Sequence, residues 1–130
     1  MLIKVDIYAE KPIYEQLRDN IILGIASGQL AEGESLPSAR NLAADLGVNF
    51  HTVNKAYDIL RGAGYILMNR RTTAIVAPKK TGGNLSAILV EKLAMCAAEA
   101  ICDGLDENAF ACACAKNYRK IKGGIFNGCV

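Results

Sequence analysis

Residues 42–60 read LAADLGVNFHTVNKAYDIL, and this stretch decides the fold. Its first residues belong to a helix that is predicted over 39–46 and that ends at Gly47. Val48 is apolar inside the turn, and Asn49 is a suitable N-cap for the helix that follows. Two helices joined by so tight a turn predict a helix-turn-helix, a motif whose second helix enters the major groove of DNA with its N-terminus leading.

The second helix of this motif has an apolar side and a polar side, since successive residues are rotated by about 100°. The apolar side is formed by Val53, Ala56, Tyr57 and Leu60, whereas the other side carries His51, Asn54, Lys55 and Asp58. Short polar side chains near the N-terminus of such a helix are suited to hydrogen bonds with base edges, and the helix end itself suits phosphate. The candidates for groove contacts are Asn49, His51, Thr52 and Asn54.

A hairpin is predicted directly after this helix, where residues 64–78 read GYILMNRRTTAIVAP. Short strands are expected over 65–68 and 74–77, on either side of a polar turn. Arg70 and Arg71 lie at the tip, where a wing meets phosphate or the minor groove. Two alternatives stay open at this point: an ordinary αα-hairpin with glycine in its turn, and a solvated arginine turn.

The flanking segments complete a mainly α-helical prediction with a small β-hairpin wing. A first helix is expected over 13–27 because apolar residues recur there at helical spacing, and residues 1–7 form a short strand or an arm. Further helices are expected from 85 to about 102 and from 105 or 106 to about 120. The glycines and Pro78 between wing and helices mark a boundary, which predicts a DNA-binding domain over 1–80 and a helical segment over 81–130.

Composition identifies a globular chain and gives little indication of the partner. Of the 130 residues, 52% are apolar and 22% are charged, and the formal net charge is +2. No apolar run approaches the ~18 residues of a membrane span, and the N-terminus has no signal-peptide pattern, so a cytoplasmic location is expected. Such a weak positive charge does not by itself predict a nucleic-acid partner.

The ordered motifs from Pro12 to Tyr65 resemble the DNA-binding domain of the GntR family of regulators. The matching pieces are PIYEQL, GIASGQLAEGESLPSAR, LAADLGV and TVNKAYDIL followed after three residues by GY. Several of them lie outside the helix-turn-helix, above all the LPSAR element that ends at Arg40. The resemblance therefore implies a winged helix-turn-helix that regulates transcription. Neither a cofactor nor a metal is expected, since the chain has a single histidine and no C-x-x-C pair.

The resemblance also implies roles for individual residues. Arg40 corresponds to an arginine that contacts DNA; the alternatives are an arginine in solvent or one paired with Asp45. Phe50 stands where many relatives have arginine or another polar residue, and it either touches a thymine methyl group or packs beside the wing. The DNA-contacting residues expected on this basis are Arg40, Asn49, Phe50, His51, Thr52, Asn54, Lys55, Arg70 and Arg71. The wing departs from the family because its tip, NRRTTA, contains no glycine.

The C-terminal helices resemble those of the YtrA subfamily, which dimerises through a two-helix hairpin. Two helices rich in Leu, Ile, Ala, Met and Cys cannot bury their apolar faces alone, so a homodimer on a palindromic operator is expected. The alternative is that they pack on their own DNA-binding domain in a monomer. Subfamily resemblance further implies repression of an operon that encodes an ABC transporter, whereas no residue indicates a small-molecule effector.

The sequence gives weaker support to three other functions. The five cysteines all lie in the last 35 residues and are expected to be buried thiols, although a redox or metal response using Cys112, Cys114 and Cys129 remains an alternative. A single histidine and scattered carboxylates assemble no catalytic set, so the chain is not expected to be an enzyme. Since winged helices also bind proteins, a protein-interaction module remains the third possibility.

Overall fold

The computed structural model describes residues 3–68 and 73–124, and it confirms a mainly helical fold with a β-hairpin. The elements of this part, in chain order, are α1 (Ile13–Ala26), α2 (Ala39–Leu46), α3 (Phe50–Gly62), β1 (Ile66–Met68), β2 (Ala74–Val76), α4 (Ala87–Cys102) and α5 (Glu107–Lys122). The predicted bounds of the helices and strands either match these or differ from them by one or two residues.

The turn between α2 and α3 forms as the sequence predicts. Gly47 has φ 68° and ψ 34°, a left-handed conformation that costs glycine nothing because it has no Cβ. The Val48 amide donates to the carbonyl of Ala43 at 3.0 Å, which closes the end of α2. At the start of α3 the Asn49 side chain accepts a hydrogen bond from the His51 amide at 2.8 Å. These contacts fix the direction in which α3 leaves the turn.

The core lies among α1, α2, α3 and the hairpin. Helix α3 packs against both α1 and α2, and it also contacts β1. The largest fully buried side chains are Leu17, Ile21, Leu30, Val53, Leu60, Ile66 and Val76. Because α3 is central to this packing, its buried side is fixed and its polar side faces outward.

The hairpin gains a third segment that the sequence did not predict. Strands β1 and β2 are antiparallel, with Ile66 opposite Val76 and Met68 opposite Ala74. The connection between α1 and α2 then pairs with the outer edge of β2, where Val76 exchanges hydrogen bonds of 2.9 Å with Gly33 and Glu34. This pairing places the LPSAR element, which follows directly, next to α3.

The N-terminal segment is an arm rather than a strand. Its backbone is held along α1 by two side chains: the Gln16 carboxamide exchanges hydrogen bonds of 2.8 and 3.0 Å with the backbone of Asp6, and Asn20 donates to the Lys4 carbonyl. Ile3 is buried in the core. Side chains of α1 therefore satisfy the backbone groups that a strand would have paired.

The two C-terminal helices expose nearly all of their surface within one chain. Ser86 and Asp106 cap them, each accepting a hydrogen bond from the amide three residues on. Helix α5 contacts α1, whereas α4 has at most marginal contact with any other described element. Neither helix has a buried residue. None of the helices described is both long enough and apolar enough to cross a bilayer.

Candidate nucleic-acid interface

The N-terminal half of α3 presents polar side chains to solvent, as predicted. His51, Asn54 and Lys55 are exposed, and Thr52 is half-buried between them and the core. Asn49 is exposed as well, but its side-chain oxygen accepts the cap hydrogen bond from the His51 amide. The carboxamide of Asn49 therefore has a structural role at the helix end, in addition to the groove contact that the sequence predicts.

Arg40 lies beside this helix end, on the first turn of α2. Its guanidinium carbon lies 4.8 Å from the centroid of the Phe50 ring, a cation–π distance. None of the ion pairs in the described residues joins Arg40 to Asp45, so that alternative is not found. Phe50 in turn contacts the His51 ring, edge to face, with the centroids 5.4 Å apart. Arg40, Phe50 and His51 thus form one cluster, which we call the α3 entry cluster.

Lys55 contacts the aromatic ring of Tyr14, a residue that was not among the predicted site residues. Its ammonium nitrogen lies 4.0 Å from the centroid of the Tyr14 ring, on the first turn of α1. Tyr14 belongs to the PIYEQL motif, and its place in this family motif was the one sequence feature that could have marked it as a residue of the interface. The contact connects α1 to the exposed side of α3 and places the positive charge of Lys55 beside Asn54 and His51.

The polar side of α3 also carries a pair of opposite charges near its C-terminus. Arg61 forms an ion pair with Asp58, one turn earlier on the same helix. This pair neutralises the C-terminal part of that side. The uncompensated positive charges of the helix-turn-helix therefore lie towards the N-terminus of α3, at Arg40 and Lys55.

A buried tyrosine fastens the LPSAR element to α3. The Tyr57 hydroxyl donates to the Pro37 carbonyl at 2.7 Å, and Ser38 then caps α2 by accepting from the Asn41 amide. Burial raises the pKa of Tyr57 to about 12. Since Arg40 follows two residues after Ser38, these contacts determine where its backbone lies.

Tyr57→Phe should lower stability at neutral pH and change its dependence on alkaline pH. Loss of the hydrogen bond leaves the Pro37 carbonyl unsatisfied, at a cost of about 1 kcal/mol. The folded-state pKa of Tyr57 lies above the ordinary value of about 10. The neutral phenol therefore stabilises the fold fully below pH ~10, and this contribution is lost as the pH rises towards 12.

Urea unfolding at pH 7 and at several values above pH 10 measures both effects. The wild type should lose more stability than Tyr57→Phe over the alkaline range. Tyr118→Phe is the matched control, since Tyr118 is 67% exposed and its substitution should leave the stability at pH 7 nearly unchanged. Parallel profiles for wild type and Tyr57→Phe would contradict the assignment.

Two predicted DNA contacts and one cysteine lie outside the described residues. Arg70 and Arg71 belong to the wing tip, and Cys129 to the C-terminal tail. Of the predicted site residues, the structure brings together Arg40, Asn49, Phe50, His51, Thr52, Asn54 and Lys55 on one side of the helix-turn-helix.

The prediction that the cysteines are buried is wrong for the four that the structure describes. Cys96, Cys102, Cys112 and Cys114 are exposed in the single chain, because α4 and α5 have little of their surface covered. In the described part of the chain, no three His, Cys, Asp or Glu side chains are placed to hold a metal ion.

Three packed helices, with a helix-turn-helix and then a β-hairpin, define a winged helix-turn-helix protein. Residues 11–76 match the family model described as bacterial regulatory proteins, gntR family. The match covers half of the 130 residues, and the chain belongs to the GntR family.

The relatives that this chain resembles are transcriptional regulators, not enzymes. The regulator Rv1152 of Mycobacterium tuberculosis is 42% identical over 64 residues, which are 49% of this chain and 53% of that protein. The transcriptional repressor YtrA of Bacillus subtilis is 36% identical over 84 residues, covering 57% of this chain and 65% of the repressor. The chain thus spans between about half and two thirds of the length of these relatives.

Solved structures extend the similarity beyond the winged helix. YtrA from Sulfolobus acidocaldarius, a GntR-family transcription factor, is 41% identical with a TM-score of 0.59, over 72% of this chain and 99% of that one. A Listeria monocytogenes protein described as a transcriptional antiterminator is 26% identical with a TM-score of 0.81, over 95% of both chains. The second match includes α4 and α5, so the whole described fold has a counterpart.

Proposed function

We propose that the chain is a transcription regulator that binds double-stranded DNA through residues 1–80. The observation that carries this proposal is the convergence of Arg40, His51, Asn54 and Lys55 at the exposed N-terminal half of α3. This helix end combines hydrogen-bond donors and acceptors for base edges with two positive charges for the flanking phosphates. Its partial positive charge adds to the attraction for phosphate.

The same proposal includes a homodimer, formed by residues 81–130, on a palindromic operator in the cytoplasm. Support comes from α4, which is apolar on most sides and yet exposed in the single chain. Such a helix is typical of a buried position. The exposed large apolar residues of this region are Leu85, Ile88, Leu89, Val90, Leu93, Met95, Ile101 and Leu105. A second copy would cover them and set two copies of α3 at a fixed separation.

Repression is the proposed direction of control, and the proposed target is an operon for an ABC transporter. The similarity to the protein named as the repressor YtrA supports the first part. The second part follows from the resemblance to the YtrA subfamily. Measuring transcript levels with and without the gene would test both, because loss of a repressor raises transcription of its target.

Selection of bound duplexes from a random pool tests DNA binding and yields the operator sequence. The affinity for the selected duplex should fall steeply with salt, since each phosphate contact contributes about −0.9 to the slope of log K against log salt. Arg40→Ala should reduce the affinity about tenfold or more and make this slope shallower by about one. Fluorescence anisotropy with a labelled duplex measures both quantities.

Arg61→Ala is the matched control, because it also removes one arginine of the helix-turn-helix. Arg61 is paired with Asp58 and lies about 16 Å along α3 from the entry cluster, so its loss should have little effect on affinity. If the wild type binds no duplex at low salt, the DNA-binding proposal is wrong. A protein-interaction module would then be the remaining function of the exposed side of α3.

A further inference from the structure

Phe50 is a large aromatic residue on the side of α3 that is expected to contact DNA. The other residues predicted on this side of the helix are polar or charged. Phe50 is the first residue of α3 and is half-buried, packed against the core cluster. The same ring carries the guanidinium of Arg40 at 4.8 Å and the ring of His51 at 5.4 Å. Phe50 therefore contacts the core, the first helix of the motif and the next residue of the second helix at once.

These contacts explain why an aromatic ring is placed at position 50 without requiring that the ring touch a base. The sequence allows two roles for Phe50: touching a thymine methyl group or packing beside the wing. In the described structure the ring contacts Arg40, His51 and the core cluster, which includes residues of both hairpin strands. The buried part of the Phe50 side chain is thus engaged by the core, and its ring also contacts Arg40 and His51.

The contact with Phe50 orders a flexible cation and leaves its hydrogen bonds available. An arginine side chain loses rotamer freedom when it binds phosphate, and this loss weakens binding unless the side chain is already ordered. A ring face attracts the guanidinium charge but offers no lone pair to its N–H groups. Those donors remain able to bind a phosphate in the bidentate geometry that arginine favours.

We infer that Phe50 is a positioning residue for DNA recognition, whose ring holds the Arg40 guanidinium beside the N-terminus of α3. Phe50 acts through Arg40 and does not touch the bases. The inference rests on the proposed DNA-binding function and adds a role that the charge of the helix end does not supply. It explains how an apolar residue contributes to an interface built from polar side chains.

A double-mutant cycle separates positioning from direct contact. Phe50→Leu keeps an apolar side chain for the core but removes the ring face, and Arg40→Ala removes the cation. With the duplex selected by the wild type, Phe50→Leu should weaken binding about two- to fivefold, the range of an exposed cation–π contact. In the Arg40→Ala background the same substitution should have no further effect, because the group that it positions is gone.

Rescue by another aromatic residue provides the second readout. Phe50→Trp should retain the wild-type affinity, since indole holds a cation at least as well as phenylalanine does. Thermal unfolding of every variant verifies that the domain is folded at the assay temperature. If Phe50→Leu is unfolded there, Phe50→Met takes its place, because the unbranched side chain adapts to irregular packing.

Each other result overturns the inference. Equal losses from Phe50→Leu in both backgrounds would mean that the ring acts independently of Arg40, either by contacting DNA itself or through His51. No loss in the wild-type background, or failure of tryptophan to restore binding where leucine weakens it, would mean that the ring does not order Arg40. Absence of any duplex binding by the wild type is a distinct result that rejects the proposed function and this inference with it.

Discussion

Leu93→Glu is expected to convert the proposed dimer into a monomer and to lower operator affinity by about 10²-fold or more. Leu93 is 46% exposed in the single chain, on the stripe of α4 that also carries Leu89 and Cys96. In a dimer this stripe is covered, and a buried carboxylate without a partner is strongly unfavourable. Loss of the dimer removes the gain in affinity that comes from linking two DNA-binding sites, which reaches about 10²–10⁴.

Sedimentation velocity and binding to the selected duplex measure the two halves of this prediction. Lys92→Glu is the matched control, since it places the same carboxylate on α4 at an exposed position that already carries a charge, about 100° from Leu93. It should leave both the assembly state and the affinity unchanged. A Leu93→Glu protein that still sediments as a dimer would show that α4 does not form the interface. A monomer with full affinity would show that one DNA-binding domain is sufficient.

The local elements of the fold were predictable because their signals are carried by neighbouring residues. Asn49 was identified as a cap, and the structure shows its side chain accepting a hydrogen bond from the expected helix end. Gly47 was identified as the end of α2, and its left-handed conformation explains why glycine is suited to that position. Each of these features depends on residues within three positions of one another.

Features that join distant segments were not predictable from these patterns. The pairing of Gly33 and Glu34 with Val76 unites a turn-rich connection with a strand more than 40 residues later, and no periodicity signals it. The exposed cysteines were wrongly expected to be buried, because thiols in apolar helices are commonly buried residues and the sequence does not say which chain covers them.

The same distinction between local features and features that join distant segments applies to the candidate site. The polar side of α3 followed from helical geometry, so His51, Asn54 and Lys55 were placed correctly. Their aromatic neighbours were not assigned, because the contact between Lys55 and Tyr14 joins α3 to α1. The same reason applies to Arg40 and Phe50, which lie on different helices and meet only after the turn at Gly47 has formed.

Leu60→Ala is expected to reduce the free energy of unfolding by about 2–5 kcal/mol, the range for truncating a buried leucine. Leu60 has 0% exposure at the centre of the packing of α3, and its carbonyl accepts the amide hydrogen bond of Tyr65 before β1. The loss combines the removed apolar contacts with the cavity that remains, since α1, α3 and β1 cannot all move inward together. A domain of this size is stable by only about 5–15 kcal/mol, so this single substitution removes a large share of that stability.

Urea unfolding followed by circular dichroism measures this change, at one protein concentration because a dimer is stabilised by mass action. Leu67→Ala is the matched control: Leu67 is also a leucine of the winged helix, but it is 45% exposed on β1, so its truncation should cost about 0.5 kcal/mol or less. The Leu60→Ala transition should move to lower urea with an unchanged slope, because the surface exposed on unfolding is nearly the same. Equal losses for the two variants would contradict the central position of Leu60, and with it the packing that directs the polar side of α3 outward.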